Sequence, residues 1–298
     1  MRQRSLLSAI LFFSLAVAAH GAALKTTRNL SLGDTEIKVN VFEAAGPGVT
    51  FVVPHHNEQT GGKIVKEYID KYGGRMVEIE SFDKSGKPAR YVSFTVGGKS
   101  YSIDPNRIFT ANGLGCNTSI VDVQAKVELF ATAVLNSILV DGKKLFENDK
   151  FIVAVHNNTD IDTKAFTSKA TDLTAFSFLN VSPSLDQPHG FYHDQAEGVF
   201  VSNSEDDPDN FVLLSSKKYL SFFADKGFNV VIQKAAAKLK DTNCSVDDGS
   251  LSVFSAQNDI PYICLEADSN NGGYRQRQMM EAVYQLAKAA QTTELLKE

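Results

Sequence analysis

His55 and Glu58 stand three residues apart in Val53-Pro54-His55-His56-Asn57-Glu58, directly after the apolar run Thr50-Phe51-Val52-Val53. Two further apolar runs end in the same manner, Phe151 to Val155 on His156 and Pro261 to Leu265 on Glu266. Strands that finish on these residues would deliver two imidazoles and two carboxylates to one edge of a sheet. Imidazole nitrogen and carboxylate oxygen are zinc ligands, and a catalytic zinc keeps three protein ligands and an open position for water. The fourth group is then free to act as general base. A lone His-x-x-Glu is common, so the weight lies in the combination. The chain has only 6 histidines, and His55 and His156 both close apolar runs. Taken singly, His156 also reads as a hydrogen-bonded core histidine and Glu266 as a helix cap.

A second segment, Asp104-Pro105-Asn106-Arg107-Ile108-Phe109-Thr110, suits an anionic substrate. Arginine grips a carboxylate through two parallel hydrogen bonds, and asparagine adds directional donors. The same residues equally describe a turn capped by Asp104 and Asn106, with Arg107 paired to a surface acid.

These residues must be carried by strands and helices in alternation. Glu36 to Phe42 alternates as a half-buried strand, and Thr50 to Val53 is apolar on both faces, as a covered central strand should be. Ile64, Val65, Tyr68, Ile69 and Tyr72 recur at helical spacing over Lys63 to Lys71, ended by Gly73-Gly74. Met76 to Ser81 reads as a strand, and Tyr91 to Val96, Gly97-Gly98 and Lys99 to Ile103 as a hairpin. A helix over Asp122 to Leu139, a helix near Ser216 to Asp225, a strand at Phe228 to Ile232 and a last helix over Tyr274 to Ala290 complete the pattern. The stretch from Thr159 to Asn210 is the least regular. With no repeat and no linker, the expectation is one α/β domain with a mixed, mostly parallel sheet flanked by helices.

Composition narrows the partners. A 43% hydrophobic content over 298 residues is enough for one large core or two small ones. The net charge of −5 comes with no basic stretch, which argues against a nucleic-acid partner. Arg2, Arg4, the apolar Leu6 to Ala19 and small residues up to Ala23 read as an export signal over about residues 1–22, and no later segment is long and apolar enough to span a bilayer. Three cysteines, Cys116, Cys244 and Cys264, allow one bridge, for which Cys244–Cys264 is the expectation.

The order His-x-x-Glu, Asn-Arg, strand-terminal His and strand-terminal Glu resembles the zinc carboxypeptidase superfamily. Asp104-Pro105-Asn106-Arg107-Ile108-Phe109 is similar in particular to its succinylglutamate desuccinylase/aspartoacylase branch and the related murein-peptide amidases. The resemblance runs from about Thr50 to the last helix and is specific at the motif residues only. It implies one Zn2+ per chain held by His55, Glu58 and His156, with Glu266 as general base and acid. It further implies that Asn106 and Arg107 hold a substrate carboxylate. An arginine upstream of that pair would stabilise the oxyanion, with Arg90 first and Arg75 in reserve. Tyr192 would stand near the leaving group, and His56 would not be a ligand. The implied activity is an exported carboxypeptidase or amidase acting on short peptides, peptidoglycan stem peptides if the host is bacterial. A deacylase of N-acyl amino acids and a metal-free binding module on the same fold are the alternatives.

Overall fold

The computed structural model describes residues 22–46, 49–139, 151–158, 196–207, 210–234, 244, 246–268 and 273–295. The strands in chain order are β1 (Leu24–Leu32), β2 (Thr35–Ala44), β3 (Val49–Val53), β4 (Gly74–Ile79), β5 (Val92–Val96), β6 (Lys99–Ile103), β7 (Phe151–Asn158), β8 (Ala196–Phe200), β9 (Phe211–Leu214), β10 (Val230–Gln233) and β11 (Tyr262–Asp268). Strands β5 and β6 form the expected hairpin, and the other nine form one sheet in the order β1-β2-β4-β3-β7-β11-β9-β10-β8. The centre of the sheet, β4, β3, β7 and β11, is parallel. Antiparallel pairs lie on either side of it, β1 with β2 and β2 with β4 on one flank, β11 with β9 and β10 with β8 on the other. The expected α/β architecture with a mixed sheet is the one observed.

Five strands from the first part of the chain, β1 to β4 and β7, lie together, and β8 to β11 lie together beyond them. The two halves meet along a seam between β7 and β11, where Glu266 is paired with His156.

Helices α1 (Gln59–Tyr72) and α6 (Tyr274–Leu295) cover one face of the sheet, and α3 (Val121–Ile138) with the hairpin covers the other. The two-residue period of a strand decides the allocation. Phe51 and Val53 pack with Ile64, Ile69, Met280 and Val283, whereas Val52 packs with the opposite layer of Val127, Phe130 and Val134. Each such burial contributes about 1.5–3 kcal/mol of transfer free energy. Two short helices were not evident in the sequence, α2 (Ala111–Asn117) and α5 (Leu251–Gln257), with α4 (Leu220–Ala224) between them in the chain. Both open on a capping hydroxyl, Thr110 accepting from the Gly113 amide and Ser250 from the Val253 amide.

The expected Cys244–Cys264 bridge is not formed. Cys244 is bonded to Cys116, 128 residues away, and Cys264 is a free, buried thiol. Cys264 lies within β11 with its Sγ against Glu266, while Cys116 sits at the end of α2, which packs closely on the segment leading into α5. Among the described residues no helix is long and apolar enough to cross a membrane.

Candidate metal centre

The chain leaves β3 at Val53 and turns at once. The Glu58 amide donates to the His55 carbonyl at 3.1 Å, which folds the two side chains toward each other. Glu58 occupies the position just before α1, yet its carboxylate makes no cap to the helix. It reaches instead to two histidines, with Oε1 2.8 Å from His55 Nδ1 and Oε2 3.1 Å from His156 Nδ1. The second contact is short but outside hydrogen-bond geometry, and Glu58 Oε2 has no hydrogen-bond partner among the described residues. The two imidazole rings are 5.0 Å apart. Two ligand atoms of a tetrahedral zinc lie roughly 3.4 Å apart given its bond lengths, and the ligand atoms of His55, Glu58 and His156 all fall within 4.8 Å of one another. The three residues are 1%, 5% and 5% exposed, so water does not satisfy them.

His55 is oriented from behind. Its Nε2 lies 2.8 Å from Asp104 Oδ1, and Asp104 Oδ2 accepts from Arg90 Nε at 3.0 Å and Nη2 at 2.9 Å. An imidazole that donates to a carboxylate through one nitrogen presents a lone pair on the other, the usual arrangement for a metal-ligating histidine. Nδ1 of His55 in turn lies 2.8 Å from Glu58 Oε1, so both ring nitrogens face carboxylate oxygens, and a ring carrying the additional proton donates to both. Burial opposes charging His55, but Glu58 and Asp104 outweigh it and raise its pKa above the ordinary imidazole value. The same proton, with His156, holds Glu58 down at about 2 in spite of its burial. Asp104 is likewise depressed well below the usual carboxylate range, because His55 and Arg90 outweigh its desolvation.

Asp104 is the residue that sequence reasoning missed. It was read as a turn cap, and it is one, since Oδ1 also accepts the Asn106 amide at 2.8 Å. Its second task leaves no spacing signal. Gln276 was missed for the same reason. Fully buried on α6, it donates to the carbonyls of His156 at 3.2 Å and Leu265 at 3.4 Å, holding both sides of the seam. Asn157 bonds to Gln276 and accepts the Gly61 amide at 2.7 Å. Gly61 permits this approach, because a Cβ there would stand 2.8 Å from the Val155 side chain.

Glu266 faces the same space from β11. Its Oε1 accepts from Cys264 Sγ at 3.4 Å, and its Oε2 is sealed from solvent with no partner among the described residues. Burial raises its pKa, with His156 pulling in the opposite direction.

Arg90 lies beside this cluster with a guanidinium 37% exposed and Nη1 3.6 Å from Glu58 Oε1. Arg75 is excluded from that role. It pairs in register with Thr50 at the opposite end of β3, and its buried guanidinium donates to the Ser137 carbonyl. Asn106 and Arg107 are close by but engaged. Asn106 Oδ1 accepts the Leu251 amide at 3.1 Å, and Arg107 Nε is 3.3 Å from Asp248 Oδ2. His56 is not part of the ligand set; its Nδ1 is 2.7 Å from the Ser81 carbonyl oxygen. Tyr192 lies outside the described residues.

No family model matches the chain, and no curated protein matches it by sequence. Among solved structures it is similar to a candidate metallopeptidase from Shewanella denitrificans OS217, at 12% identity over 89% of this chain and 82% of that one, with a TM-score of 0.36. Candidate metallopeptidases from Shewanella baltica OS155 (12%, 90% and 84%, 0.35) and Shewanella amazonensis SB2B (11%, 89% and 85%, 0.33) are similar to the same degree. Likeness at this level carries no functional weight of its own.

Proposed function

We propose that the chain is an exported zinc-dependent hydrolase that cleaves an amide bond in a small carboxylate-bearing substrate, a carboxypeptidase or amidase of short peptides, peptidoglycan peptides among them. The observation that carries this reading is the convergence of His55 Nδ1, Glu58 Oε2 and His156 Nδ1 beside the unpartnered Oε2 of Glu266. Two imidazoles and one carboxylate are a three-ligand catalytic set for zinc, and the orphaned Glu58 oxygen is the atom such an ion would complete. When bound, the ion supplies a Lewis acid and lowers the pKa of a water in its open position to about 7.

The remaining chemistry belongs to the protein. Glu266 accepts a proton from the attacking water and returns it to the departing amine. Its raised pKa brings both transfers closer to neutral pH. Arg90 is placed by Asp104 to stabilise charge developing on the substrate carbonyl oxygen. Asn106 and Arg107 position the substrate through its carboxylate, which makes attack effectively intramolecular. A deacylase of N-acyl amino acids would use the same groups. The Cys116–Cys244 disulfide favours the peptidase reading, because it suits an oxidising compartment where wall peptides are found.

The test is elemental analysis of wild type and His156→Ala, followed by assays of short peptides beside N-acyl amino acids. About one zinc per chain in the wild type, lost in the variant, with peptides turned over faster, is the expected result. A folded wild type that takes up no metal from added zinc overturns the reading.

A further inference from the structure

Tyr262, Cys264 and Glu266 occupy alternate positions of β11 and so share one face of the sheet. Cys264 is the one free thiol of the chain, since the other two cysteines are joined. Its partner in register on β7 is Ala154, so β7 contributes only a methyl group opposite the thiol, and His156 stands two residues further, opposite Glu266. The ligand atoms of His156, Cys264 and Glu266 all lie within 4.8 Å of one another. Among the described residues Glu266 Oε2 is enclosed with no hydrogen-bond partner, and so is Oε2 of the 5% exposed Glu58, which lies 3.1 Å from His156 on the other side.

We propose that His156, Cys264 and Glu266 form a second position for a thiophilic metal ion such as cadmium, next to the His55–Glu58–His156 position and sharing His156 with it. Thiolate is a soft ligand, and the set of one nitrogen, one sulfur and one oxygen ranks thiophilic ions above magnesium or calcium. Binding forms a sulfur–metal bond and releases the thiol proton to solvent. An ion held there takes Glu266 as a ligand and so removes it from proton transfer. The proposal does not depend on the hydrolase reading, because it needs only the three side chains.

The probe is cadmium, added to the full chain after stripping by chelator and without reductant. The expected result is ultraviolet thiolate-to-cadmium charge-transfer absorption that saturates near one ion per chain. That band should vanish in both Cys264→Ser and Cys264→Ala, while the two variants still take up zinc. Absence of the band in cadmium-saturated wild type overturns the proposal, as does its persistence in both variants. If the band appears in a protein that takes up no zinc, the second position stands and the hydrolase reading falls.

Discussion

Two neighbouring regions use similar residues to opposite ends. Near the carboxyl ends of β3, β7 and β11, buried polar atoms converge and two of them, Glu58 Oε2 and Glu266 Oε2, have no hydrogen-bond partner among the described residues. Along residues 104–117 and 247–251, the buried groups answer one another. Asn106 holds the Leu251 amide, Arg107 meets Asp248, Thr110 donates to Asp247, the Phe109 amide donates to the Gly249 carbonyl, and Cys116 is bonded to Cys244. An unsatisfied buried polar group costs about 1–3 kcal/mol. The first region carries the proposed metal ligands, and the second is internally bonded around them, with Asn106 and Arg107 at its edge nearest the site.

Mutations that strike the two regions should therefore fail in different ways. Glu266→Gln should lower turnover by roughly 10²–10⁴-fold, the scale of general acid–base catalysis, with zinc content and unfolding midpoint unchanged. Undiminished turnover by this variant would dissolve the distinction at its strongest point. Replacing Cys116 and Cys244 together by serine should do the reverse, lowering stability by about 2–5 kcal/mol in urea unfolding while the folded fraction keeps its zinc. Loss of metal at full stability would show that the support and the site are one unit.

Asp104 belongs to both regions and sharpens the comparison. Asp104→Asn should weaken zinc affinity by roughly 10–100-fold, as loss of a carboxylate behind a metal-ligating histidine does. In the metal-free protein its depressed pKa gives a sign as well. The stabilisation is complete above the ordinary carboxylate value of about 4 and is lost as pH falls through the lower folded value. The stability gap between wild type and Asp104→Asn should thus be open at neutral pH and narrow progressively as pH falls below about 4. A gap that stays constant with pH would make Asp104 a simple turn residue.

How much of this was readable in advance follows from where each signal is written. His55 and Glu58 follow the apolar run of β3, and His156 and Glu266 follow the apolar runs of β7 and β11, which continue two residues further as strand; the end of an apolar run is visible in the sequence. The central strands and the long helices were placed to within a few residues because burial on both faces writes a continuous apolar run and burial on one helix face a period of 3.6. The edge strands β1 and β8 were not, since exposed or half-exposed positions carry no alternation. Asp104 and Gln276 act through contacts between distant segments, which leave no local pattern. The cysteine pairing failed for a related reason. Spacing says nothing of connectivity, and Cys264, which looked available, faces Glu266 inside the sheet.

The seam between β7 and β11 also divides the proposed site between two distant parts of the chain. His55, Glu58 and His156 belong to the part of the chain that ends with β7, and Cys264 and Glu266 arrive only with β11, more than a hundred residues later in synthesis. A nascent chain that has reached Asn158 carries the three proposed ligands but not the proposed proton carrier, and the two parts of the proposed site meet only where β11 pairs with β7.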